Sequence, residues 1–132
     1  MIYKSYLVEN NIKILKNNLI LFYGENFGLK EDFKNIIKDK HNKMIVKNLY
    51  QDDIIKNKEL IYNEILNGSL FDESKIFFFN NCNDKILDFL KEIEKKLNLN
   101  KIFVFSEILD KKSKLRNYFE KSKDCDVIAC YE

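Results

Sequence analysis

The sequence predicts an α/β domain built on a five-stranded parallel sheet with helices on both faces. Two observations predict it. From residue 19 onward, short apolar runs alternate with segments whose apolar residues recur every three or four positions, and strands that alternate with helices feed a parallel sheet. The runs are also continuously apolar rather than alternately polar, as strands buried on both faces must be.

Leu19-Ile20-Leu21-Phe22-Tyr23 is such a run and stops at Gly24. Leu29, Phe33, Ile36 and Ile37 then form a helical stripe. Met44-Ile45-Val46 with Leu49 reads as the second strand. Asp52 and Asp53 open the next helix, where acids favour the N-terminal dipole, and its stripe is Ile54, Ile55, Ile61, Tyr62, Ile65 and Leu66. Asn67-Gly68 supplies its stop. Lys75 to Asn80 is the third strand. Ile86, Leu90, Ile93 and Leu97 mark a helix capped by Asn83 or Asp84. Ile102 to Phe105 is the fourth strand, Leu115, Tyr118 and Phe119 mark a short helix, and Asp126 to Cys130 is the fifth strand. The first eighteen residues are ambiguous: Ile2 to Val8 suits an edge strand and Glu9 to Lys16 a helix.

The chain has 132 residues, enough for one domain with a proper core. No repeat, linker or composition shift marks a second domain, so residues 1–132 are read as one. A chain that stops at a strand with no closing helix is expected to be a fragment of a longer protein. Its net charge of +2 is too small for a dedicated nucleic-acid binder. Arg116 is the single arginine, so bidentate phosphate or base readout is nearly absent. The N-terminus has no long apolar stretch of a signal peptide, and no run approaches the roughly 20 residues of a membrane span. Cys82, Cys125 and Cys130 lack metal-site spacing and read as buried free thiols in a reducing cytoplasm, with Cys125 and Cys130 on opposite faces of one strand. His41 lies in a polar run and reads as a solvated loop residue. No metal and no cofactor are expected.

In open parallel sheets ligands collect at the carboxyl ends of the strands. After the strand 19–23 comes Gly24-Glu25-Asn26-Phe27-Gly28-Leu29-Lys30-Glu31. A working phosphate loop needs closely set glycines and a Lys followed by Ser or Thr. Here Glu31 stands in the hydroxyl position, and Glu25 and Glu31 repel phosphate. After the third strand, Asn80-Asn81-Cys82-Asn83 offers no acid for Mg²⁺ before Asp84. A receiver domain would want an Asp at that strand end and an acidic pair where only Glu25 stands. Ser106-Glu107 has no partner to make it a nucleophile or base, so no catalytic residues are proposed. The fold is of a nucleotide-binding type with its catalytic equipment missing, which points to an interaction role. The alternative is a degenerate nucleotide-binding or receiver-like α/β domain.

The step Leu66-Asn67-Gly68-Ser69-Leu70-Phe71-Asp72 places two large apolar residues in a short connector, where loops are normally polar. Leu70 and Phe71 either cap their own core or plug a partner's pocket. Burying both in a preformed pocket is worth on the order of 3–6 kcal/mol before the costs of association.

Leu21-Phe22-Tyr23-Gly24-Glu25-Asn26 followed by Leu29-Lys30-Glu31 resembles the opening of the delta-subunit family of bacterial DNA polymerase III, the clamp-loader wrench. Asn67-Gly68-Ser69-Leu70-Phe71 resembles its "SLF" segment, Lys75 to Phe79 the strand that follows, and Leu109-Asp110-Lys111-Lys112-Ser113-Lys114-Leu115 its "LDKR-x-KL" segment, with Lys112 in place of the usual Arg. The resemblance runs from about residue 19 to the end, in order, through short motifs. It implies an AAA+-like domain, of P-loop-NTPase type without a working phosphate loop, with no enzymatic activity of its own inside a nucleotidyltransferase complex. It implies that Ser69, Leu70 and Phe71 engage the sliding clamp (the beta subunit) during DNA replication and help to open it. It also implies contacts to other clamp-loader subunits through regions absent here. Lys111, Lys112 and Lys114 are expected to make at most an auxiliary DNA contact, and no membrane partner is expected.

Overall fold

The computed structural model describes residues 1–66, 75–97 and 100–132. Its centre is a single parallel sheet of six strands, not five. The strands are β1 (Ile2–Lys4), β2 (Leu19–Tyr23), β3 (Ile45–Tyr50), β4 (Lys75–Cys82), β5 (Lys101–Ser106) and β6 (Cys125–Ala129). Their order across the sheet is β1-β6-β2-β5-β4-β3. The helices are α1 (Ser5–Asn10), α2 (Phe27–Lys40), α3 (Gln51–Lys56), α4 (Lys58–Leu66), α5 (Leu87–Ile93) and α6 (Lys114–Lys121).

Each central strand sends alternate side chains into two separate cores, because successive residues of a strand point to opposite faces. Leu19, Leu21, Phe77, Phe79, Ile102, Val104 and Val127 join Ile54, Ile61 and Ile65 of α3 and α4, Leu90 of α5, and Leu115 and Phe119 of α6. Ile20, Phe22, Ile76, Phe78, Phe103, Phe105 and Ile128 meet Val8 of α1 and Phe33 and Ile37 of α2 on the other face. Helices therefore cover both faces, as the uninterrupted apolar runs require. Cys125 and Cys130 fall in opposite cores as their spacing predicts, and all three cysteines are buried and free.

The side on which each helix packs follows from chirality. The crossovers β1 to β2 and β2 to β3 advance across the sheet in one direction, and α1 and α2 lie on one face. The crossovers β3 to β4, β4 to β5 and β5 to β6 step back the other way, and α3 to α6 lie on the opposite face. Crossovers of constant hand must change face when they change direction.

Three expectations need correction. The sixth strand, β1, escapes a count based on apolar runs because Ile2 and Lys4 are exposed. It is an edge strand held by its parallel ladder to β6. The Met1 amine also sits 3.7 Å from the buried Asp126 carboxylate, which accepts hydrogen bonds from the Asn17 backbone and side chain at 3.2 and 3.0 Å. The helix expected over Asp52 to Leu66 is two helices. Asn57 interrupts it by donating its side-chain amide to the Asp53 carbonyl at 3.0 Å, a local bond that competes with helix continuation. His41 is not a free loop residue: it terminates α2, with Nδ1 3.0 Å from the Ile37 carbonyl.

Candidate functional site

The carboxyl ends of β2, β4 and β5 converge on the position where a phosphate loop would lie. Gly24 follows β2 with φ +130°, in the region that favours glycine, and a Cβ there would fall 2.2 Å from the Cys130 carbonyl oxygen. Three of the loop's N–H groups, those of Gly24, Asn26 and Leu29, are spent on the protein itself. Gly24 donates to the Glu107 carbonyl at 3.0 Å and Asn26 to the Cys130 carbonyl at 3.0 Å. The Asn26 side chain caps α2 by accepting from the Leu29 N–H at 3.0 Å. These are the donors a phosphate-binding loop would turn outward.

Lys30 is 7% exposed and donates its ammonium to the Ser106 carbonyl at 2.9 Å, tying the first turns of α2 to the end of β5. Lys34, one helical turn on, donates to the Asn80 side-chain oxygen at 2.7 Å and lies over the Phe105 ring at 4.7 Å. Burial lowers the Lys34 pKa from its ordinary value, against the opposing pull of Glu31 at 3.8 Å. Together with Tyr50, Glu107 and the exposed ring of Phe27, these residues line a cleft of about 280 Å³. The Ser106 hydroxyl is buried with no hydrogen-bond partner among the described residues. The sequence draws attention to Ser106 and Lys30. It gives less notice of Lys34, although the spacing of four from Lys30 puts both on one helix face.

After β4, Asn80 closes on its neighbours: its amide donates to the Asn48 side chain at 3.3 Å and the Leu49 carbonyl at 3.4 Å. Asn83 caps the single 3₁₀ turn that leads into α5, accepting from the Lys85 N–H at 3.0 Å. Asp84 serves another helix. Its carboxylate accepts from the Ser113 hydroxyl at 2.6 Å and from the Leu115 and Lys114 N–H groups at 3.0 and 3.2 Å. Burial opposes its ionisation, but those three donors outweigh it and hold the carboxyl below its ordinary range.

Ser69, Leu70 and Phe71 lie outside the described residues. The helix that leads into them, α4, spends Ile61 and Ile65 on the core, half-buries Tyr62 and Leu66 against it, and leaves Leu60 exposed. Lys111, Lys112 and Lys114 are exposed and sit together in the turn before α6 and at its first position. Arg116 is turned inward instead: it bonds the Leu109 carbonyl at 3.0 Å and Glu120 at 3.3 Å and covers the Tyr23 ring.

No family model and no curated protein matches the chain.

Proposed function

We propose that this chain is a clamp-loader domain of delta type, AAA+-like in fold, that binds the sliding clamp and helps to open it during DNA replication without hydrolysing ATP. Leu70 and Phe71, presented with Ser69 where α4 ends, insert into an apolar pocket of the clamp. The domain acts in the cytoplasm within the DNA polymerase III holoenzyme. Other loader subunits join it through segments outside this chain, and Lys111, Lys112 and Lys114 contribute an auxiliary contact to DNA.

The observation that carries this reading is the closed phosphate-loop position. Gly24, Asn26 and Leu29 give their N–H groups to protein acceptors, and the Lys30 ammonium is engaged by Ser106. A sheet of nucleotide-binding layout in which these four donors are internally consumed supports a role in binding another protein. The strand order, with β2 between β5 and β6, is consistent with the AAA+-like core.

Titration calorimetry against the sliding clamp, with Leu70→Ala/Phe71→Ala in parallel, tests the proposal. The double variant is expected to lose about 2–4 kcal/mol, roughly thirty- to a thousandfold in affinity. Binding that survives the change moves the site elsewhere, and a folded wild-type domain that does not bind refutes the function. The competing degenerate-nucleotide reading draws on the cleft beside Lys30 and Lys34. It requires ATP with Mg²⁺ to raise the melting temperature, since a ligand of the native state must stabilise it.

A further inference from the structure

The cleft between α2 and the carboxyl ends of β3, β4 and β5 takes no part in the proposed clamp contact. Its lining carries charge in two layers. Lys30 and Lys34 lie at depth: Lys30 is buried, and the Lys34 side chain is 17% exposed. Glu31 and Glu107 lie at the mouth, Glu31 42% exposed and Glu107 exposed as well. The lining is therefore neutral in sum, with two charges of each sign. The charges are not tightly paired. Glu31 stands 3.8 Å from the Lys34 ammonium, beyond hydrogen-bond reach. Lys34 gives one donor to Asn80 at 2.7 Å and rests on the Phe105 ring. An ammonium has three donors, so two remain to be used. Burial disfavours its charge, and Lys30 and the exposed Lys38 repel it while Glu31 supports it, so Lys34 gains from an anion placed beside it.

We propose that this cleft binds a free α-amino acid with an aromatic or large apolar side chain, its carboxylate inward. The carboxylate takes charge-assisted hydrogen bonds from Lys34. The ammonium is then left to Glu31 and Glu107 at the mouth. The side chain lies against Phe27 and Tyr50, two exposed rings in the same lining. Charge and size select this ligand over its rivals. A phosphate brings about two negative charges to a lining that is neutral in sum, and Gly24, Asn26 and Leu29 have already given their N–H groups to the protein. A simple carboxylate leaves both glutamates unopposed, and a simple amine leaves Lys34 so. The cleft's 280 Å³ equals about nine waters at roughly 30 Å³ each, enough for an amino acid and too little for a nucleoside triphosphate. The site shares no residue with the clamp-binding segment, so the two assignments stand or fall separately.

Calorimetric melting of the full chain with L-phenylalanine and with L-leucine tests it. A ligand at about ten times its Kd raises the melting temperature of a chain of 132 residues by about 5 °C. N-acetyl-L-phenylalanine, which lacks the ammonium, and L-phenylalanine amide, which lacks the carboxylate, should each give less than about a fifth of that shift at the same concentration. Lys34→Gln should lose the response to the free amino acid, and Lys38→Gln, outside the lining, should keep it, each compared with its own ligand-free melt. The proposal is overturned if neither amino acid shifts the wild-type melt at about 10 mM, ten times a weak Kd of about 1 mM. It is equally overturned if Lys34→Gln responds like wild type, or if either blocked analogue stabilises as well as the free amino acid. A rise with ATP and Mg²⁺ where both amino acids give none overturns it in favour of a nucleotide site.

Discussion

Replacing Gly24 by alanine should unfold a large share of the population at temperatures where the wild-type chain is intact, whereas the same change at Gly28 should not. The magnitude follows from the geometry. At φ +130° an L side chain is strained, costing about 1–3 kcal/mol. The new Cβ would also sit 2.2 Å from the Cys130 oxygen and 2.7 Å from its carbonyl carbon, both main-chain atoms that no rotamer change can move aside. Relief requires shifting the end of β6, which breaks the bond from the Asn26 N–H to the Cys130 carbonyl and costs about 1 kcal/mol more. The sum is about 3 kcal/mol. With an unfolding entropy of about 2.1 cal/mol/K per residue, a chain of 132 residues should melt about 10 °C lower. At Gly28 the nearest atom to a Cβ is the Asn26 side-chain oxygen at 3.7 Å, an ordinary contact near the start of a helix. Gly28→Ala should therefore be neutral or stabilise by up to about 1 kcal/mol. Calorimetric melting of the two variants reads both signs at once. A Gly24→Ala protein within about 0.5 kcal/mol of wild type would refute the close approach of the loop to β6.

Two further predictions address groups the fold has placed with care. Asp84 is held below its ordinary pKa, so its contribution to stability is present above about pH 4 and is lost as the pH falls through the folded-state value; Asp84→Asn should cost about 1 kcal/mol at pH 7 in urea unfolding, as a lost helix cap does, and a gap to wild type that stays constant into acid would contradict the assignment. Burial pushes the Cys125 and Cys130 thiols up to about 12 and raises Cys82 as well, so a disulfide reagent should titrate none of the three quickly in the native protein and all three in denaturant; rapid native reaction of any one would show its core to be open.

The central strands were legible in the sequence because burial on both faces leaves an unbroken apolar run that few other structures need. Phe77, Phe78 and Phe79 are adjacent in sequence yet divide between two cores, and only a strand buried on both sides could use all three. β1 was legible only in part: an edge strand suited Ile2 to Val8, but the strand stops at Lys4 and Ser5–Asn10 is helix, because a three-residue edge strand is held by main-chain bonds that carry no side-chain signature. The break at Asn57 turns on a side-chain bond to Asp53, which a stripe of isoleucines cannot register. Composition left Asn83 and Asp84 as equal candidates for one cap. The structure separates them because Asp84 reaches a helix 30 residues further along the chain. At the candidate site, the missing hydroxyl and the acids of the loop could be read directly. That the Gly24 and Asn26 N–H groups are taken by Glu107 and Cys130 could not, since both acceptors are carbonyls just past the ends of β5 and β6.

The place of β6 in the sheet bears on how the chain is made. β6 lies between β2 and β1, so β2 keeps a bare edge, and β1 has no strand to join, until Cys125–Ala129 has left the ribosome. The first residues thus wait for a partner 124 positions downstream. At translation rates of about 5–20 residues per second that is a delay of about 6–25 seconds. For most of it the nascent chain carries an unpaired apolar strand, Leu19 to Tyr23, because its neighbours β5 and β6 are both still to be made. Vectorial synthesis and cooperative assembly are therefore in tension in this topology, and a growing polypeptide of this kind is a natural client for chaperones that shield exposed strand edges.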